Sequence, residues 1–321
     1  MAGWGRCGKP KPALMIAGPT CSGKSGLALA LAQRLGGTVI NADSMQVYRE
    51  LHIVTARPGA ADEAAAPHRL YGVRPAAEIG SVAWWRAAAL EAMDAAEVPI
   101  LCGGTGLYLQ SLSQGLAEIP QPDEEARAEA RSLVERNGAA ALHARLAEID
   151  PATAATLRPS DSQRVARAWE VWRSTGRGLV AWHCEAGPPA PYAFKAIVLD
   201  PPRAALRQAV ETRFDAMLAA GAVEEVERLL ALGLDPALPA MRAHGVQELG
   251  AFIRGELSLA AARERSIVAT AQYLKRQATW FRNREIAEQT RTRIIHARFE
   301  GWAQFSEREA EEIATFVSGS G

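Results

Sequence analysis

Gly18-Pro19-Thr20-Cys21-Ser22-Gly23-Lys24-Ser25 decides how the rest of this 321-residue chain is read. The octapeptide satisfies G-x-x-x-x-G-K-[ST] at every fixed position. An apolar run, Ala13 to Ala17, precedes it, and a helix-forming run, Leu27 to Leu35, follows. The pattern predicts a buried strand, a glycine turn and a helix N-terminus. Gly18 and Gly23 allow backbone angles and close approaches that a side chain would block. The loop N–H groups and the helix dipole then form a cradle for an anion. Lys24 adds a point charge for terminal phosphates, and the Ser25 hydroxyl is a candidate Mg²⁺ ligand. The motif announces a bound phosphate without saying whose.

Working outward, Thr38 to Ala42 reads as a second buried strand that runs into Asp43-Ser44-Met45-Gln46. Ligands of open α/β sheets sit beyond the carboxyl ends of parallel strands, so Asp43 is placed to face whatever the phosphate loop holds. Three roles suit it at this stage: Mg²⁺ ligand, general base or helix N-cap. Val98 to Cys102 is a third buried strand, ending in Gly103-Gly104-Thr105-Gly106. Thr20 and Thr105 are thereby two hydroxyls at one sheet edge, either as donors to a diphosphate or as plain turn residues. Between these strands, Arg57 to Pro75 reads as a surface loop with short helical turns. Ser81 caps a helix with Trp84, Trp85, Ala88 and Ala92 at core-facing intervals.

Composition changes at Pro120-Gln121-Pro122. Residues 121–193 are expected to form an all-helical insertion, with breaks at Asn137-Gly138, Asp150-Pro151 and Arg158-Pro159, and a linker at Gly187 to Pro191. They divide an α/β core into a first part, residues 1–120, and a completing, mostly helical part, residues 194–321. The latter begins with a strand, Phe194 to Leu199, and includes a long helix, Ala260 to Arg284. A weak strand and an acidic helix close the chain.

Thirty-six basic and thirty-six acidic residues leave no net charge, which excludes a protein that is basic all over. Local stripes survive that balance: five arginines from Arg158 to Arg177, and nine Lys or Arg from Arg263 to Arg298. Such segregation suits a polyanion, and it equally suits solvated helix faces. Arg164, Arg167 and Arg173 alternate with Trp169 and Trp172, a pattern that fits phosphate contact with base stacking or a buried aromatic face. Cys7, Cys21, Cys102 and Cys184 form no C-x-x-C pair and have no histidine at metal spacing. A reduced, cytoplasmic setting without structural zinc is expected. No apolar run approaches a membrane span. The stretch from Met1 to Lys11 lacks the apolar segment of a secretory signal and is expected to be a frayed lead-in.

Taken in order, GPTCSGKS, NADSMQVY, TARP, GGTGLYLQSL, DSQRVARAWEV and KRQATWFR resemble the bacterial tRNA dimethylallyltransferase family, from about Leu14 to Arg284. The resemblance implies a P-loop NTPase-like parallel sheet flanked by helices, with the helical insertion binding tRNA. It implies transfer of a dimethylallyl group from its diphosphate to N6 of an adenine beside the anticodon, with Mg²⁺ as cofactor, by a monomeric enzyme. By position, Asp43 matches the base. Thr20, Lys24, Thr105 and Arg213 match groups that hold the leaving diphosphate in the loop Gly18, Pro19, Thr20, Cys21, Ser22, Gly23, Lys24 and Ser25. The tRNA-contacting positions correspond to Asp43, Ser44, Met45, Gln46, Thr105, Arg127, Gln163, Arg164, Val165, Ala166, Arg167, Arg242, Ala243, His244, Gly245, Val246 and Gln247. Two departures stand out. The family usually has Gly-Tyr and a basic residue where this chain has Gly245-Val246-Gln247, and glycine where it has Val54. Isopentenyl transfer to a free adenine nucleotide is the nearer alternative, and an ATP-dependent small-molecule kinase the more distant one.

Overall fold

The computed structural model describes residues 10–318; most of the expected lead-in, and Cys7 with it, lies outside them. In chain order come β1 (Lys11–Ala17), α1 (Lys24–Leu35), β2 (Thr38–Asn41), α2 (Ala60–Ala65), β3 (His68–Arg69), α3 (Val82–Ala95), β4 (Pro99–Gly103) and α4 (Gly106–Ser113). The helices α5 (Glu124–Ile149), α6 (Pro151–Ala154), α7 (Ser162–Thr175) and α8 (Leu179–His183) follow. Then come β5 (Tyr192–Leu199), α9 (Arg203–Ala219), α10 (Ala222–Leu230), α11 (Val246–Ile253), α12 (Leu259–Asn283), β6 (Thr292–Ile295) and α13 (Glu307–Ser318). No helix among the described residues is long and apolar enough to cross a membrane.

Six strands form one parallel sheet in the order β3-β2-β4-β1-β5-β6. Parallel strands buried on both faces need apolar residues at nearly every position, and β1 supplies them. Ala13, Met15 and Ala17 enter one core; Leu14 and Ile16 enter the other. The first core lies under α3, α4 and α9 to α12, while the second is closed by α1 and by Ile313 of α13. Because β2, β4 and β1 are adjacent and parallel, their C-terminal turns share one edge. Asp43, Thr105 and the phosphate loop are therefore neighbours by topology.

Three local expectations shift. Of the residues expected on the core face of α3, Trp85 is buried, but the stripe continues through Ala89 and Met93 in place of Ala88 and Ala92. Trp85 stacks on Tyr108, with ring centroids 4.4 Å apart, and its indole N–H donates to the Asn41 carbonyl at 2.8 Å. The loop from Arg57 contains a two-residue edge strand, β3, paired with Val39 and Ile40. Finally, the chain divides into compact units at Gln114–Pro189, earlier at both ends than the expected 121–193 and ending within the Gly187 to Pro191 linker. Gly115 and Gly187 cross there so closely that a Cβ on Gly115 would overlap the Gly187 carbonyl.

Within that helical unit, Gly138 breaks α5 with φ 80° and ψ 161°, at the Asn137-Gly138 position read from sequence. Ala130, Leu133, Leu142, Leu146, Val165, Ala168 and Trp169 make its own small core.

Candidate active site

The phosphate loop is held from behind by a remote part of the chain. Arg298 donates from Nε to the Cys21 carbonyl at 2.9 Å, and the Phe299 N–H donates to the Ser22 carbonyl at 2.9 Å. Gly23, with φ 86°, ends the turn and brings no side-chain cap to α1, so the first N–H groups of that helix remain for an anion. A Cβ on Gly23 would overlap the Phe299 backbone, which makes glycine obligatory on two grounds. Cys21 is bent into the left-handed region, φ 65°. Lys24 follows, and burial pushes its ammonium below the ordinary lysine range, against the opposing pull of the Asp43 carboxylate. Ser25 touches the Cys102 thiol, which burial raises to about 11.

The turn after β2 is braced by Asn41. Its Oδ1 accepts the Asp43 N–H at 2.8 Å, and its Nδ2 donates to the Asp43 and Leu70 carbonyls at 3.0 and 3.1 Å. Asp43 Oδ1 accepts the Met45 N–H at 2.9 Å. This is an aspartate turn with no helix after it, so the N-cap role falls away. One carboxylate oxygen is tied to the backbone, which orients the other. Thr105 meets the same turn: its Oγ1 accepts the Ser44 N–H at 3.0 Å and donates to Ser44 Oγ at 3.3 Å.

The two turns meet at a cleft open to solvent, lined by Thr20, Cys21, Asp43, Arg213, His244 and Tyr273 together with the apolar Met45, Val54, Val210, Phe214 and Met217. Arg213 is aimed by a 3.1 Å bond from Nη2 to the Thr55 carbonyl. Gln46 Nε2 donates to the same carbonyl at 2.9 Å, so this amide is engaged within the chain. The loop carrying Val54 and Thr55 is fixed by Glu225, a buried carboxylate of α10 that accepts the N–H groups of His52, Ile53 and Val54. Sequence reading passed over Glu225, because nothing near it in the chain marks its partner. It also passed over Tyr273 and Gln277 of α12, whose spacing with Thr270 and Trp280 follows one helix face.

Of the segment 242–247, Arg242 and Gln247 are exposed, whereas Ala243, Gly245 and Val246 are buried. His244 lies tilted against Tyr273, 4.8 Å between ring centroids, and burial lowers its pKa. It belongs to the cleft wall. In the helical unit Gln163 and Arg164 are exposed, the latter at 71% with Asp161 beside it at 3.6 Å. Arg167 and Arg127 keep partial exposure and loose acidic neighbours, Glu170 and Glu124. Val165 faces the unit's core, fully buried, and Ala166 is half-buried. Val165 therefore has no side-chain surface to offer a partner. Trp169 and Trp172 lie 6.5 Å apart, with Trp169 in that core.

A phosphate loop, a fixed carboxylate and a half-apolar cleft at one sheet edge describe a group-transfer site for a phosphorylated donor. The family model described as IPP transferase matches residues 46–284. The tRNA dimethylallyltransferase of Gluconobacter oxydans is 58% identical over 313 residues, covering 96% of this chain and 94% of that protein. The crystal structure of the tRNA isopentenylpyrophosphate transferase from Bacillus halodurans aligns over 96% of this chain and 97% of its own, at 30% identity and a TM-score of 0.67. A eukaryotic dimethylallyltransferase acting on tRNA shares the fold, with a TM-score of 0.78 at 24% identity, over 97% of this chain and 80% of its own. The chain belongs to the IPP transferase family.

Proposed function

We propose that the protein transfers a dimethylallyl group from dimethylallyl diphosphate to N6 of an adenine beside the anticodon of tRNA. The observation that carries this reading is the two-sided cleft. Thr20, Cys21 and Arg213 in its lining, with the phosphate loop beside them, suit a diphosphate, and Met45, Val54, Val210, Phe214 and Met217 suit a short hydrocarbon. A nucleotide donor would leave its ribose and base against that apolar wall, with their polar groups unpaired at a cost.

The allylic C–O bond breaks with its electron pair leaving on the diphosphate, and N6 forms the new bond to the allylic carbon. Asp43 takes the proton that N6 loses. Thr20, Lys24 and Arg213 donate to the charge that grows on the departing oxygens, and Thr105 joins them by turning its hydroxyl proton from Ser44 Oγ. Among the described residues no three His, Cys, Asp or Glu side chains converge on a metal position. Mg²⁺ bound through substrate phosphates needs only one or two protein oxygens, and Ser25, with Asp43 as second candidate, fits that role. The ion would add positive charge against the leaving diphosphate.

The helical unit from Gln114 to Pro189 is assigned to tRNA, through Gln163, Arg164, Arg167 and Arg127. Replacing Arg164 and Arg167 together by alanine is expected to weaken tRNA binding. The slope of log affinity against log salt should flatten by roughly 1.5, as about two phosphate contacts are lost. Binding of dimethylallyl diphosphate should stay unchanged; equal loss of both affinities would refute the assignment. For the reaction itself, the protein is incubated with dimethylallyl diphosphate, unmodified tRNA and AMP, and the tRNA nucleosides and free nucleotides are analysed by mass spectrometry. An adenosine heavier by one C5H8 unit is the expected product, and prenylated free AMP with unmodified tRNA would replace this reading with the nucleotide transferase.

A further inference from the structure

We infer that Gln277 is a positioning residue that clamps the phosphate loop to the Gly103–Gly106 turn and so sets the separation of the Thr20 and Thr105 hydroxyls. Its Oε1 accepts the Thr20 N–H at 2.8 Å, and its Nε2 donates to the Gly104 carbonyl at 3.0 Å. The side chain is 4% exposed, so both bonds form away from competing water and are costly to leave unmade. Only a primary amide offers one acceptor and one donor at this separation. A glutamate would turn an oxygen toward the Gly104 carbonyl, and a lysine would bring no acceptor to Thr20.

The glycines of the turn fit this arrangement. A Cβ on Gly104 would overlap the Gln277 amide nitrogen, and one on Gly106 would overlap the Trp280 ring. The turn is thus shaped to receive one face of α12, the face that also carries Thr270 and Tyr273 to the cleft wall. Tyr273 interacts with the side chains of both Thr105 and Gln277, which closes the connection. One consequence is chemical. The Thr20 amide is engaged within the protein, so it is the Thr20 hydroxyl that this residue offers to a ligand.

The inference rests on reading the cleft as the donor site, and the test separates the two. Gln277→Met keeps length and volume but makes neither bond. Its affinity for inorganic pyrophosphate, measured calorimetrically, should fall about tenfold or more, the equivalent of one lost buried hydrogen-bond partner, while tRNA affinity is retained. A purely structural role would lower the melting temperature and leave the folded variant's pyrophosphate affinity intact, which overturns the clamp. A second measurement needs no variant. In the ligand-free wild-type protein, hydrogen exchange at the Thr20 amide should be slow, and exchange at the rate of an open loop would also overturn it. Slow exchange in a wild-type protein that binds pyrophosphate yet prenylates no tRNA would support the clamp and sink the donor assignment instead.

Discussion

Replacing Asp43 by asparagine is expected to lower kcat for prenyl transfer by about 10²–10⁴-fold, the usual contribution of a general base, with little change in substrate binding. Asparagine keeps the size of the side chain and an oxygen that accepts the Met45 N–H, now made by Asp43 Oδ1. The turn is therefore expected to survive, and what is lost is the capacity to take a proton. An interaction made only in the transition state lowers kcat and kcat/KM together. If Asp43 acts chiefly as a Mg²⁺ ligand, the substitution weakens donor binding instead, and raised Mg²⁺ partly restores it. A single titration of donor and Mg²⁺ against the variant distinguishes these results. Full turnover by the folded variant would remove Asp43 from the mechanism.

Lys24→Ala is expected to cost about 10²–10³-fold in transfer, as for loss of one preorganised donor to a developing anion, and to weaken pyrophosphate binding as well. Burial already holds the Lys24 ammonium below its ordinary range, with Asp43 pulling the other way. Donor affinity should accordingly decline as pH rises toward that lowered pKa, because the neutral amine no longer attracts phosphate. A bound diphosphate favours the ammonium and shifts the decline to higher pH. ATP should be neither hydrolysed nor required. Stoichiometric ADP with a small acceptor would favour the kinase.

The core strands were legible because each carries its signal locally. Ala13 to Ala17 is an apolar run joined to a glycine turn, and Pro99 to Gly103 another. Parallel order then follows from the shared edge. What sequence could not disclose is contact across long separations. Gln277 meets Thr20 over 257 positions, Arg298 meets Cys21 over 277, and Glu225 meets Ile53 over 172. A two-residue strand such as His68–Arg69 is too short for any alternation to register. Sequence left Trp84 and Trp85 together on the core face of α3 because both are apolar, and only packing on Tyr108 chooses Trp85 and with it Ala89 and Met93. Family resemblance supplied the expected residue roles, yet it gave no warning that Val165 faces inward.

The strand order also sets a schedule for synthesis. The first four strands to pair, β3-β2-β4-β1, are complete once Gly103 has emerged. The other edge of β1 must then wait for β5, which begins at Tyr192. At roughly 5–20 residues per second on the ribosome, that leaves an apolar parallel edge without its partner for about ten seconds, while the helical unit is being made. Open strand edges of this kind template aggregation. The nascent protein is therefore most vulnerable midway through translation, and slow codons within the helical unit should lower its yield more than the same codons placed after β5.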